Sequence, residues 1–224
     1  MAILSESDHA KVTAAVGEAE RNTAGEIVTI IADRSDGYTD VALAWSIGAA
    51  FLVLSLLAFF PHPPLRAYEA LHGTWNAEWP AGEIFAAASG IGIATFLLAL
   101  LVQWPDAVRF ALVPGRIKTN RAEARALHLF KVGAERRTVG RTGILIYLSM
   151  REHRAEIVAD AAIADKVEDE VWGDAMAALL AELKHGRCAD GMVAAVARVG
   201  TVLAEHFPRR DDDRNELPDR LIEL

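Results

Sequence analysis

Two long apolar runs dominate the hydrophobic pattern of this chain, and neither contains an ionisable residue. They cover residues 41–60 and 84–104. A helix needs roughly 20 apolar residues to cross the hydrocarbon core of a bilayer, and both runs reach that length. The pattern therefore predicts a two-helix transmembrane hairpin in contact with the lipid bilayer. Its two spans are joined by an external loop over residues 61–83.

Shorter periodic patterns lie on both sides of the hairpin. Apolar positions at helical spacing predict helices over residues 5–23, 121–132, 163–171, 174–185 and 190–206. Short runs rich in β-branched residues predict buried strands over residues 26–32, 143–149 and 155–159. The last two strands are separated by so few residues that they must form an antiparallel hairpin.

Neither flank of the hairpin can bury a core alone, because the first strand is isolated unless it pairs with the later two. We therefore predict one discontinuous α/β domain, formed by residues 1–40 plus 107–207, with a small mixed sheet of three to four strands flanked by helices. The transmembrane hairpin, residues 41–104, interrupts it. Residues 208–224 form a charged tail, for which disorder is the simplest expectation and docking of residues 217–224 the alternative.

The distribution of charge predicts the orientation in the membrane. The net charge is −8, yet Arg109, Arg116, Lys118, Arg121 and Arg125 follow the second run closely, whereas the loop between the runs carries Arg66 as its single basic residue. Lys and Arg collect on cytoplasmic flanks, so both termini are predicted to be cytoplasmic in a bacterial inner membrane. The acidic balance argues against a nucleic-acid partner, and the single cysteine, Cys188, excludes an internal disulfide.

Small residues in the two runs are spaced for close helix packing. Ser46 and Ala50 share one face of the first run, and Ala86, Gly90 and Ala94 share one face of the second. Such faces let helices approach in lipid. Packing of the two helices on each other is the preferred interpretation, with a homodimer through the same helices as the alternative. Transporters usually place ionisable groups inside the membrane, so the runs indicate an anchor.

An acidic stretch after the third strand is the best candidate for a metal site. Asp160 would lie at a strand end, and Asp165 and Glu168 are three residues apart on the predicted helix. Hard cations such as Ca²⁺ and Mg²⁺ bind several carboxylate oxygens. The competing interpretation is a solvated helix start, where acidic residues are favoured electrostatically. No nucleophile elbow, P-loop or paired zinc motif accompanies these residues.

Several segments together resemble the TPM domain family. They are the helix ending in LHLF at residues 127–130, the strand RTGILIYLS at 141–149, the paired strand AEIVAD at 155–160, the late helix ending in EHFP at 205–208, and a first strand at 25–32. The hairpin is similar to an insertion in a bacterial membrane-bound branch of that family. The resemblance covers most of the chain outside the hairpin and the tail.

The resemblance implies a small α/β sandwich and two different kinds of role. Some plastid members of the family are linked to acid phosphatase activity and divalent metals, and others act as auxiliary factors. Many members have a glycine-rich turn after the third strand, where this chain has ADAAIAD at residues 159–165. We therefore expect a binding or auxiliary module with an unidentified protein partner, the alternative being a metal-dependent phosphatase.

Overall fold

The computed structural model describes residues 3–62, 66, 69–70, 80–133, 142–209 and 217–224. Most of the predicted loop over residues 61–83, and residues 210–216 of the predicted tail, lie outside these ranges. The elements in chain order are α1 (Glu6–Glu20), β1 (Glu26–Ala32), α2 (Thr39–Phe59), α3 (Ala81–Val102), α4 (Asp106–Leu112), α5 (Gly115–Gly133), β2 (Gly143–Ser149), β3 (Arg154–Ala159), α6 (Ala161–Ala164), a 3-10 turn (Asp169–Val171), α7 (Trp172–Leu183), α8 (Cys188–His206) and β4 (Ile222–Glu223).

The chain divides into two compact units. The first contains residues 1–36 and 115–224, and the second contains residues 37–114. The first unit is built on a four-stranded mixed sheet of order β3-β2-β1-β4. The α/β fold class predicted from the sequence is therefore confirmed, and the sheet has four strands.

The centre of the sheet is the parallel pair β1–β2. It runs in register from Glu26 opposite Gly143 to Ala32 opposite Ser149, and every residue of both strands is buried. Strand β3 pairs antiparallel with β2, and β4 pairs parallel with β1. Burial on both faces explains why β1 and β2 are continuous apolar runs without alternation.

Each face of the sheet has its own core. On one face, Ile27 and Ile31 of β1 pack with the stripe Val12 and Val16 of α1 and with α7 and α8, including Leu203. On the other face, residues 28, 30 and 32 of β1 pack with one side of α5, formed by Ala122, Ala126 and Phe130. The period of two along β1 divides its side chains between the two cores.

Two of the predicted helices have the wrong bounds. Helix α5 begins at Gly115, directly after Pro114, although the sequence predicts this helix only over residues 121–132. The predicted helix over residues 163–171 is instead the four-residue α6 followed by a turn and a 3-10 turn. Residues 217–224 pack against the sheet and contribute β4, so the alternative of docking holds for this segment rather than disorder.

Among the residues that the structure describes, the second unit contains the helical hairpin of α2 and α3 and the short helix α4. Helices α2 and α3 are antiparallel, since Ser46 contacts Gln103 at one end and Leu54 contacts Gly92 farther along. A Cβ at Gly92 would meet the Leu54 side chain at 3.1 Å, so glycine allows this close approach. The buried Gln103 amide donates to Ser46 Oγ at 3.1 Å and to the carbonyl of Ala42 at 3.3 Å, which ties the helices together.

Candidate functional site

The predicted metal ligands lie at one end of the sheet but in different settings. Asp160 follows β3, and its backbone N–H donates to the carbonyl of Gly143, the first residue of β2. Its side chain is 6 % exposed, and Oδ1 accepts from the N–H of Ala161 at 2.8 Å, which makes Asp160 the N-cap of α6. The second carboxylate oxygen, Oδ2, is buried without a hydrogen-bond partner among the described residues.

Asp165 and Glu168 are both exposed. Asp165 is the C-cap of α6, so it lies at the opposite end of that helix from Asp160. Glu168 lies beyond the turn, which means that the expected shared helix face does not form. Among the described residues, no three His, Cys, Asp or Glu side chains are grouped so that they could hold a metal ion. The assignment of Asp160, Asp165 and Glu168 as metal ligands stays a prediction.

A second group of carboxyl side chains lies at this end of the sheet, and the sequence analysis did not predict it. Glu20 ends α1, Glu26 begins β1, and Asp219 belongs to the docked C-terminal segment. Together with Arg21 and Arg209 they border a small cavity of about 80 Å³. The signal that could have found Glu20 is its spacing, because it continues the buried Val12–Val16 stripe of α1 by one further step of four residues.

Glu20 and Glu26 both accept hydrogen bonds from backbone N–H groups. Glu20 Oε1 accepts from the N–H of Ile27 at 2.7 Å, on the outer edge of β1. Glu26 is 5 % exposed, and its Oε2 accepts from the N–H of Leu217 at 3.1 Å. Glu20 Oε2 is buried and has no hydrogen-bond partner among the described residues. These two carboxyl groups therefore hold both the sheet edge and the incoming C-terminal segment.

The pKa of the Glu20 side chain is strongly raised. Burial raises the pKa of Glu20 from 4.5 to about 8, and the N–H of Ile27 opposes this shift. The nearby carboxylates of Glu26 and Asp219 raise the pKa further, because a second and third negative charge disfavour ionisation of Glu20. Near neutral pH the Glu20 side chain is therefore mainly a neutral carboxylic acid.

A buried polar network lies at the opposite end of the sheet. Glu152, 2 % exposed, accepts from the hydroxyl of Ser149 and from the N–H of Ser35, the latter at 2.9 Å. Ser35 Oγ lies 3.0 Å from the hydroxyl oxygen of Tyr147. Each of these groups satisfies another within the fold, so the network joins the loop after β1 to the β2–β3 turn.

Part of the chain matches a known protein family. Residues 106–202 match the family model of the TPM domain. The match begins with α4 and ends inside α8, and so includes β2, β3 and the Asp160 region but not α1 or β1. No curated protein matches the chain.

A solved structure is similar over the whole fold. The NMR structure of BA42 protein from the psychrophilic bacterium Bizionia argentinensis matches with a TM-score of 0.57 and 18 % sequence identity. The alignment covers 100 % of this chain and 97 % of that one. At this identity the likeness shows the fold of the TPM region and nothing about a reaction.

The shifted pKa of Glu20 predicts a pH-dependent stability. Because the folded state raises the pKa above its unfolded value, folding takes up a proton between about pH 4.5 and pH 8. The stabilisation is complete below this range and is lost as the pH rises through about 8. We expect the Glu20→Gln variant to lose less free energy of unfolding than the wild type between pH 5.5 and pH 8.5, as measured by urea denaturation.

The matched control is Glu18→Gln, on the same helix but with a largely exposed side chain. This control should keep the pH dependence of the wild type. An unchanged pH dependence in Glu20→Gln would show that Glu20 is not the group that titrates.

Proposed function

We propose that this protein is a membrane-anchored binding module of the bacterial membrane-bound branch of the TPM family. In this proposal residues 37–114 anchor the α/β unit at the cytoplasmic face of the inner membrane, where it binds a partner protein. Both termini are cytoplasmic. The observation that carries the proposal is the apolar outer surface of helices α2 and α3.

The exposure of these two helices supports an anchor rather than a soluble core. Both are long and apolar enough to span a membrane, and only 17 % of α2 and 6 % of α3 is buried over their most apolar stretches. Large side chains point outward, among them Phe51, Phe59 and Phe85, which are between 66 % and 78 % exposed. A soluble protein rarely exposes a continuous apolar surface of this kind, whereas lipid would cover it.

The polar residues of the hairpin support the anchor over a conduit. Gln103 and Ser46 satisfy each other between the helices, and Thr95 Oγ1 donates to the carbonyl of Ile91 within α3. No Asp, Glu, Lys or Arg occurs between residues 41 and 60 or between 84 and 104. Two helices without ionisable groups give an ion or polar solute no path. In this proposal the two helices pack on each other, and a homodimer through the same helices is the alternative.

Cysteine labelling tests the membrane anchor and its orientation. In a Cys188→Ser background, we expect Ala77→Cys to react with a membrane-impermeant maleimide in spheroplasts and Glu18→Cys to react only in inside-out vesicles. The physical reason is the basic flank that follows the second span, which stays in the cytoplasm. Labelling of Ala77→Cys only in inside-out vesicles would show that the orientation is opposite to the predicted one. Release of the protein from membranes by alkaline carbonate would contradict the membrane anchor.

A metal-dependent phosphatase is the second candidate function, and Asp160 favours it. A buried carboxylate oxygen without a partner is costly, and a bound cation at Asp160 Oδ2 would offset this cost. Asp165 and Glu168, the other predicted ligands, would join Asp160 around Ca²⁺ or Mg²⁺ only after a rearrangement of the chain around α6, because the three side chains are not grouped in the described structure. The catalytic groups of such an enzyme are not assigned.

Metal titration separates the two candidates. If the site exists, millimolar Ca²⁺ or Mg²⁺ raises the Tm of the wild type, and this rise is lost in Asp160→Asn, which keeps the capping oxygen but removes the charge. Glu205→Gln, an exposed substitution on α8, should keep the rise. The absence of any metal-dependent rise, together with no hydrolysis of p-nitrophenyl phosphate, would exclude the phosphatase.

A further inference from the structure

The C-terminal residues occupy the outer edge of β1. Ile222 pairs with Ile30, the N–H of Leu224 donates to the carbonyl of Ile31 at 3.0 Å, and the N–H of Asp33 donates to the carbonyl of Leu224 at 2.9 Å. Strand β4 is two residues long, whereas β1 has seven. The C-terminal segment, defined as residues 217–224, therefore covers an edge that could pair with a longer strand.

Three side chains of the C-terminal segment attach it to the rest of the fold. Leu217 and Leu221 are only 5 % and 4 % exposed and enter the two cores on opposite faces of the sheet. The Glu223 carboxylate accepts from the N–H groups of Ile3 and Leu4, at 3.0 and 2.9 Å, and contacts His9 Nε2 at 2.8 Å. The segment thus occupies this edge through two buried leucines and one hydrogen-bonded carboxylate.

The C-terminal segment fills this surface incompletely. A cavity of about 190 Å³ lies between the sheet, α5 and the segment. Its apolar walls include Val28 and Leu145 of the sheet, Phe130 of α5, and Leu217 and Ile222 of the segment. An apolar cavity of about 150 Å³ is large enough to hold a benzene molecule, so a strand with an aromatic side chain in place of Ile222 would fill this space.

We propose that the outer edge of β1 and the groove beside it form a docking site for an extended peptide of a partner protein, and that residues 217–224 are its resident, displaceable occupant. The partner peptide adds as a parallel strand, places leucines where Leu217 and Leu221 lie, and presents a carboxylate to Ile3, Leu4 and His9. Addition of a strand to a sheet edge is a common mode of peptide recognition. The inference rests on the proposed function only for the existence of a partner protein.

Peptide binding to the full chain in detergent tests this inference. The probes are labelled peptides with the sequence LPDRLIEL, identical to residues 217–224, and LPDRLFEL, in which phenylalanine replaces the isoleucine. Leu221→Asp should release the C-terminal segment, because a charge replaces a buried leucine. We expect this variant to bind LPDRLIEL at least tenfold more tightly than the wild type, in which the attached segment competes at a high effective concentration.

The matched control is Leu224→Asp, because the Leu224 side chain is 49 % exposed. This control should bind LPDRLIEL as weakly as the wild type. In the Leu221→Asp variant, LPDRLFEL should bind more tightly than LPDRLIEL, because the phenyl ring fills the cavity. Equal binding of LPDRLIEL to the wild type and to a folded Leu221→Asp variant would overturn the proposal.

Amide hydrogen exchange on the wild type keeps the proposal testable if Leu221→Asp does not fold. The amides of Leu224 and Asp33 depend on the C-terminal segment, whereas the amides of Glu26 and Met150 are bonded within the β1–β2 region, to Thr142 and Ala32. We expect the amides of Leu224 and Asp33 to exchange at least tenfold faster than those of Glu26 and Met150. Equal protection of all four amides would overturn the proposal that the C-terminal segment is displaceable. Neither assay needs a membrane, so failure of the anchor would leave these results unchanged.

Discussion

The parallel pairing of β1 with β2 is the contact on which the rest of the first unit depends. These strands lie more than a hundred residues apart in the chain, yet they pair in register over seven residues and are buried on both faces. The entropy of closing a loop grows only slowly with its length. A long insertion between the strands is therefore compatible with a stable sheet, provided that the inserted residues satisfy their own backbone groups. The α2–α3 hairpin does so, since its hydrogen bonds lie within its helices.

The same pairing concentrates carboxyl groups at one end of the sheet. Glu20 accepts from Ile27, Glu26 accepts from Leu217, and Asp160 accepts from Ala161, each bonding a backbone N–H at a strand or helix end. These carboxyl groups satisfy backbone donors that burial would otherwise leave without partners. Burial raises the pKa of Glu20, and the neighbouring carboxylates raise it further. Oδ2 of Asp160 has no hydrogen-bond partner among the described residues. The raised pKa of Glu20 and the unpartnered oxygen of Asp160 therefore both arise where carboxyl groups bond the backbone at this end of the sheet.

Strong local patterns made much of the fold predictable from the sequence. The bounds of β1 and β2 were predicted to the residue, because a buried central strand is a continuous apolar run. The start of α5 was missed because residues 115–120 carry almost no apolar periodicity, and the break after α6 was missed because apolar Val167 and Val171 extend the helical pattern across a turn. Strand β4 has two residues and pairs with Ile30 and Ile31 in a distant part of the chain, so no local pattern signals it.

The candidate sites were less predictable than the fold for a related reason. The spacing of Asp165 and Glu168 suggested a shared helix face, but the chain leaves the helix at Ala164. The carboxyl cluster of Glu20, Glu26 and Asp219 combines residues from three distant parts of the chain. Clusters formed by tertiary packing become visible only when the strand order and the position of the C-terminal segment are known.

The most direct test of this account replaces residues 37–114 with a short Gly-Ser linker. Asp36 and Arg121 form an ion pair of 2.8 Å, so a short linker can join residue 36 to residue 115. We expect a folded soluble domain that unfolds in one cooperative transition, with the Glu26 amide protected from exchange by its bond to Thr142. A chain that lacks cooperative unfolding and protection at Glu26 would contradict the claim that the two flanks fold as one domain around β1 and β2.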